Sequence, residues 1–159
     1  MAADFSNANT PSEAFTGKLT SLTKFFKINL NVNMPKIAVI GGSGFSDFSK
    51  NEVIFLQRHG KDIPPHKINH KENILSLKKK GAEIIIGINS VGSLKKKIKP
   101  GSVVIPDDYI NLKNIQTYYD IEVRHITPGL DEEIRKKIIA AACEINLKVV
   151  ESGVYIQAI

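Results

Sequence analysis

Apolar residues fall into short runs separated by glycine, proline and polar clusters, and the runs alternate between two periods. Lys36 to Ile40 predicts a first strand that enters a glycine turn, and Val53 to Leu56 predicts a second. Lys67 to Lys80 sets Ile68, Ile74, Leu75 and Leu77 against lysines on the other side and stops at Gly81, the pattern of an amphipathic helix. Glu83 to Ile88 predicts a strand buried on both faces, and Ser102 to Ile105 another, introduced by the turn Lys99-Pro100-Gly101. The clearest helix is Asp131 to Asn146, with Asp131, Glu132 and Glu133 at its positive end and Ile134, Ile138, Ile139, Ala142 and Ile145 on one face. Val149-Val150 and Gly153 to Ile159 are again strand-like. β-Branched strands alternating with helices predict an α/β sheet with covered faces.

The ends differ from this middle. Met1 to Asn33 is rich in Ser, Thr, Asn and Lys and shows no sustained period, so it is expected to be a disordered leader or an upstream extension, with the folded unit starting at Met34. Its only acids are Asp4 and Glu13, as in an organelle transit peptide, but it has no arginine, which such peptides use. The apolar run that closes at Ile159 has no polar tail, and the expectation is a chain cut within its core.

Composition narrows the chemistry. With 159 residues, 42% hydrophobic, the chain suits one domain with a real core. A single cysteine excludes an internal disulfide framework and a cysteine-based zinc site, and makes a reducing, cytoplasmic location the expectation. His66, His70 and His125 lack metal-site spacing with His59 or an acid cluster, so no metal and no cofactor is expected. No apolar run is long enough to span a membrane. The net charge of +6 favours anionic partners. Its densest groups, Lys78-Lys79-Lys80 and Lys95 to Lys99, are not interleaved with aromatic residues, which argues against nucleic acid. No Ser-centred elbow or carboxylate pair stands out, so no catalytic nucleophile or acid/base residue is assigned.

Three strand ends carry anion-binding signals, each with a bland alternative. Gly41-Gly42-Ser43-Gly44 is either a tight loop or an anion cradle of backbone N–H groups. A dinucleotide fingerprint fails there: the third glycine is missing, and Phe45 to Glu52 is too short for the usual crossover, which disfavours a dinucleotide-dependent oxidoreductase. Arg58-His59-Gly60 is either a surface pair or a fork with a second donor for phosphate. Asn89-Ser90-Val91-Gly92-Ser93-Leu94 is either a self-satisfied turn or a ligand loop beyond a strand end.

In sequence order, Ile37 to Phe45, Arg58-His59-Gly60, Ile63 to Asn69, Asn89 to Leu94 with Lys99-Pro100-Gly101, Tyr118-Tyr119-Asp120 and Gly153-Val154-Tyr155 resemble the 5′-methylthioadenosine phosphorylase and purine nucleoside phosphorylase family, in its trimeric methylthioadenosine/methylthioinosine branch. The resemblance runs over Pro35 to Ile159. It implies a phosphorylase/hydrolase-like fold, a mixed β-sheet flanked by helices, truncated at the C-terminus. It also implies phosphorolysis of a purine nucleoside to free base and a ribose 1-phosphate, with inorganic phosphate as co-substrate. Phosphate would be bound by Ser43, Arg58, His59, Asn89 and Ser90. The nucleoside would meet Ser90, Val91, Gly92 and His125, the last reaching a neighbouring subunit of a homotrimer. Two positions depart from the family: only Lys61-Asp62 stand between Gly60 and Ile63, where a longer connection carrying a histidine is usual, and His70 replaces a tyrosine. The family's later Gly-Pro-Arg-Phe-Glu segment, its ribose Met-Thr pair and its purine-reading acid or amide are absent, so this stretch alone is expected to be inactive. The alternative is a shortened, non-catalytic relative that binds phosphate or assembles with a full-length partner.

Overall fold

Ile37-Ala38-Val39-Ile40-Gly41 has no polar side chain on either face, and the core is built on it. In the computed structural model, which describes residues 35–42, 53–59, 63–112 and 116–157, this strand (β1, Ile37–Gly41) lies between Ile54–Gln57 (β2) and Ile84–Ile88 (β3). Both pairings are parallel, with Val39 level with Phe55 and Ile86. Ala38 and Val39 are fully buried. Parallel pairing requires the chain to cross over between β1 and β2, which corrects the expectation drawn from Phe45 to Glu52. Measured from strand end to strand end the link runs over residues 42–53, the dozen or so that such a crossover needs. Residues 43–52 of that link, and the leader at 1–33, lie outside the described residues.

A single turn of 3-10 helix, Pro65–Lys67, precedes the first α-helix among the described residues, His70–Lys79 (α1). The α-helix starts later than the apolar pattern predicts because Asn69 caps it. The Asn69 side chain accepts the Glu72 amide at 3.0 Å and donates to the Glu72 carboxylate at 3.1 Å, a local stop on helix growth toward Lys67. Its other end closes at Gly81, whose φ of 83° suits only glycine comfortably. There Gly81 N donates to Lys78 O and Ala82 N to Leu77 O, turning the chain into β3. Glu132–Glu144 (α2) is built the same way. Asp131 accepts the Ile134 amide at 2.9 Å, and Asn146, at φ 54°, takes the left-handed position after the helix.

The remaining strands form two short parallel ladders: Val103–Val104 (β4) with Val149–Val150 (β6), and Asp108–Asn111 (β5) with Val154–Gln157 (β7). The break between them is stitched. Ile105 N donates to Val150 O, Asp107 N to Gly153 O, and Gly153 N to the Asp107 carboxylate at 2.6 Å. That amide and its neighbours hold the Asp107 carboxyl below its ordinary pKa.

The α/β class expected from the sequence is what the structure has, and every ladder among the described residues is parallel. Two expectations change. β5 is not announced by its residues, because Asp and Asn at both ends are poor strand formers and only pairing with β7 makes it a strand. β3 is buried on one face rather than two: alternate residues Ile85 and Gly87 are exposed, and the face they share is not covered by the described residues. Among the described residues Leu77 is the largest side chain that is fully buried. Leu77→Ala is expected to lower unfolding stability by about 2–5 kcal/mol, checked by urea denaturation.

Candidate functional site

Register creates the site. Gly41 stands level with Gln57 on one side and Ile88 on the other. The next residues along these parallel strands are Gly42, Arg58 and Asn89, so all three emerge together at the carboxyl edge of the sheet, where α/β sheets gather ligands. The backbone locks them level. Arg58 N donates to Gly41 O at 2.8 Å, and Gly42 N donates to Ile88 O at 3.2 Å.

The Arg58 side chain spans the three ends. Its Nη1 donates to Asn89 Oδ1. Its Nη2 lies beside the glycine turn: a Cβ at Gly42 would sit 3.3 Å from Nη2 and 3.8 Å from Cζ. Any larger residue here would displace the guanidinium by a few tenths of an ångström. The Arg58 Nε is buried and has no hydrogen-bond acceptor among the described residues. A guanidinium cannot shed its proton, so a buried N–H without a partner is costly until an acceptor arrives. Nε and Nη2 form one edge of the planar fork, the edge suited to two oxygens of a single oxyanion.

His59 follows and is half-buried. Ser90, Val91 and Gly92 continue from Asn89 as an exposed, irregular stretch, so the structure brings Arg58, His59, Asn89 and Ser90 to one edge. Ser43 lies outside the described residues. His125 is exposed in the irregular segment before α2, and no hydrogen bond or ion pair joins it to Arg58 or Asn89 among the described residues. The segment 116–120 is tied to α1. Lys71, in the first turn of α1, gives its amide to Gln116 Oε1 at 3.1 Å and pairs with Asp120 at 2.6 Å, while Tyr118 OH donates to Lys71 O at 3.2 Å.

One contact of Arg58 is announced by no motif in the sequence. Asn73 donates its Nδ2 to Arg58 O at 2.9 Å. The signal was available: Asn73 sits one turn before buried Leu77 on the same helical face, an amide within an apolar stripe. His70 shares that face, and burial, then the nearby Arg58 charge, lower its pKa below the ordinary histidine value. Among the described residues no group of three or more His, Cys, Asp or Glu could hold a metal ion, and no helix is long and apolar enough to cross a membrane.

Residues 32–158 match the family model described as the phosphorylase superfamily. Among curated relatives, the chain is 41% identical over 109 residues to the probable 6-oxopurine nucleoside phosphorylase of Archaeoglobus fulgidus, covering 67% of this chain and 45% of that protein. It is 37% identical over 155 residues to the S-methyl-5′-thioadenosine phosphorylase of Pyrococcus horikoshii, covering 77% of this chain and 60% of the relative. The chain thus spans about half the length of such relatives. Among solved structures, a mutant adenosine/methylthioadenosine phosphorylase of Schistosoma mansoni with tubercidin superposes with a TM-score of 0.69 at 24% identity, covering 77% of this chain and 64% of that one. The shared fold is that of a nucleoside phosphorylase.

A histidine with a lowered folded pKa binds fewer protons than its unfolded counterpart in mild acid. Its contribution to stability is complete above the unfolded value and is lost as the pH falls from there toward the folded one. Between about pH 7.5 and about pH 5.5 the wild type is expected to lose more stability than His70→Gln, as measured by denaturant titration at each pH.

Proposed function

The chain belongs to the phosphorylase superfamily, and from that premise we propose that the protein containing it catalyses phosphorolysis of a purine nucleoside, with Arg58 anchoring the phosphate. The observation that carries this reading is the Arg58 guanidinium itself, fixed between Gly42 and Asn89 with a buried Nε awaiting an acceptor. The substrate class follows the relatives, whose names cover 6-oxopurine nucleosides and S-methyl-5′-thioadenosine, so methylthioadenosine, methylthioinosine and inosine or guanosine are the candidates.

In this reaction an oxygen of phosphate forms a bond to C1′ of the ribose as the C1′–N bond breaks, and the purine leaves with the bonding electron pair. The sugar is cation-like between the two. Catalysis then consists of holding a dianion under C1′ and stabilising the departing base, with no covalent bond to the protein. Arg58 neutralises phosphate charge and orients it. Because Asn89 Oδ1 is occupied by Arg58, its Nδ2 is the group left to donate to a phosphate or ribose oxygen. Ser43, the glycine-turn amides, His59 and Ser90 complete the phosphate shell, and the Ser90-Val91-Gly92 backbone lines the purine. Inorganic phosphate is the co-substrate, and the chemistry calls for no further cofactor.

A homotrimer goes with this reading, with His125 contributing to the sugar site of a neighbouring copy. It is supported by the segment that carries His125, where Ile121 is fully exposed and Val123 is 86% exposed, apolar surface suited to cover by another subunit. A cytoplasmic location is proposed with it, consistent with the lone cysteine.

In the full-length protein, Arg58→Ala is expected to lower kcat/KM for phosphate by roughly 100-fold, and unchanged turnover of purine nucleosides would reject the proposal. Gly42→Ala is expected to push the guanidinium aside by a fraction of an ångström. The result should be a severalfold higher KM for phosphate with the nucleoside KM nearly constant, measured by varying each substrate in turn.

A further inference from the structure

Arg58 is the first residue past the β2 ladder, and its three polar parts are held by three different elements. Its amide is fixed by Gly41 of β1, its Nη1 by Asn89 after β3, and its carbonyl by Asn73 of α1. The third tie is the one that orients the peptide unit leading on to His59. Asn73 is partly buried, and its Nδ2 reaches the Arg58 carbonyl at 2.9 Å across a gap of 15 residues in sequence. Asparagine is a poor residue for a helix interior, and here it occupies the face that buries Leu77, where an apolar side chain would serve stability better. The donor, rather than the helix, accounts for its presence.

The platform that carries Asn73 is itself immobilised from the other side. Gln116 accepts the Lys71 amide, Tyr118 OH donates to the Lys71 carbonyl, and Asp120 pairs with Lys71 Nζ, so the first turn of α1 is clamped to the segment 116–120. The cap formed by Asn69 and Glu72 fixes the start of the same turn. An amide on so constrained a turn can hold a strand end in one orientation.

We infer that Asn73 is a positioning residue for phosphate: it fixes the Arg58 backbone from α1 so that the guanidinium edge stays aimed at the anion. The inference rests on the phosphate reading of Arg58 given above. In the full-length protein, Asn73→Leu keeps the branched outline of the side chain and suits a helix while removing the donor, and Asn73→Ala removes the side chain. With one oriented hydrogen bond lost, the phosphate KM is expected to rise roughly fivefold in both variants. The nucleoside KM should stay within about twofold, a split that a general loss of folding would not produce. An unchanged phosphate KM in both variants, or a parallel rise of both KM values, overturns the inference. Arg58→Ala, measured beside them, separates the two failures. If it leaves phosphate KM unmoved, the phosphate reading itself falls; if it raises phosphate KM while the Asn73 variants do not, only the positioning role of Asn73 falls.

Discussion

The level ending of β1, β2 and β3 puts a permanently charged guanidinium between a glycine and an amide, and the rest of the site answers to that placement. Burying part of an arginine with a neutral acceptor on one nitrogen is unfavourable, because a charged group taken from water needs opposite charge or full hydrogen bonding. Asn89 satisfies one donor but contributes no charge. The Nε is left buried without an acceptor among the described residues.

Holding the fork in one pose falls to the backbone and to α1. Parallel ladders set Gly42, Arg58 and Asn89 at one height, and the amide bonds to Gly41 O and Ile88 O prevent the ends from fraying apart. The first turn of α1 then lies between the strand ends and the 116–120 segment, touching the first through Asn73 and the second through Lys71. This chain of hydrogen bonds connects the segment 116–120 to the strand end at Arg58. The Lys71 ammonium also lies 5.4 Å from the centre of the Tyr118 ring, adding a cation–π contact to its pairing with Asp120. Because exposed ion pairs alone are weak, the two bonds at the Lys71 backbone are the stronger part of that clamp.

Legibility varied with how local the cause was. β1 was readable because a short apolar run rich in β-branched residues, bounded by Pro35 and a glycine turn, favours a strand covered on both faces. The stop at Gly81 and the acids opening α2 were readable because capping and the helix dipole act within a turn. β5 was not, since Asp108-Tyr109-Ile110-Asn111 gains its conformation from β7, more than forty positions away. The burial of β3 was misjudged because a run of isoleucines cannot say whether both faces of a strand will be covered, and the face of Ile85 and Gly87 is exposed among the described residues. Arg58 was singled out as a donor for phosphate, but so would be many surface arginines. Asn73 passed unnoticed because its partner is a carbonyl on another element.

What the chain's residues determined by themselves was most of the order of strands and helices and the positions of glycines and caps. Those features are local: each depends on backbone preference or periodicity within a few residues. Tertiary structure decided that Gly42, Arg58 and Asn89 share one edge at one height, that the guanidinium retains a buried N–H, and that α1 reaches across to the Arg58 carbonyl. The register of parallel strands is set by hydrogen bonds between segments tens of residues apart, and no neighbour in sequence carries the information that fixes their phase.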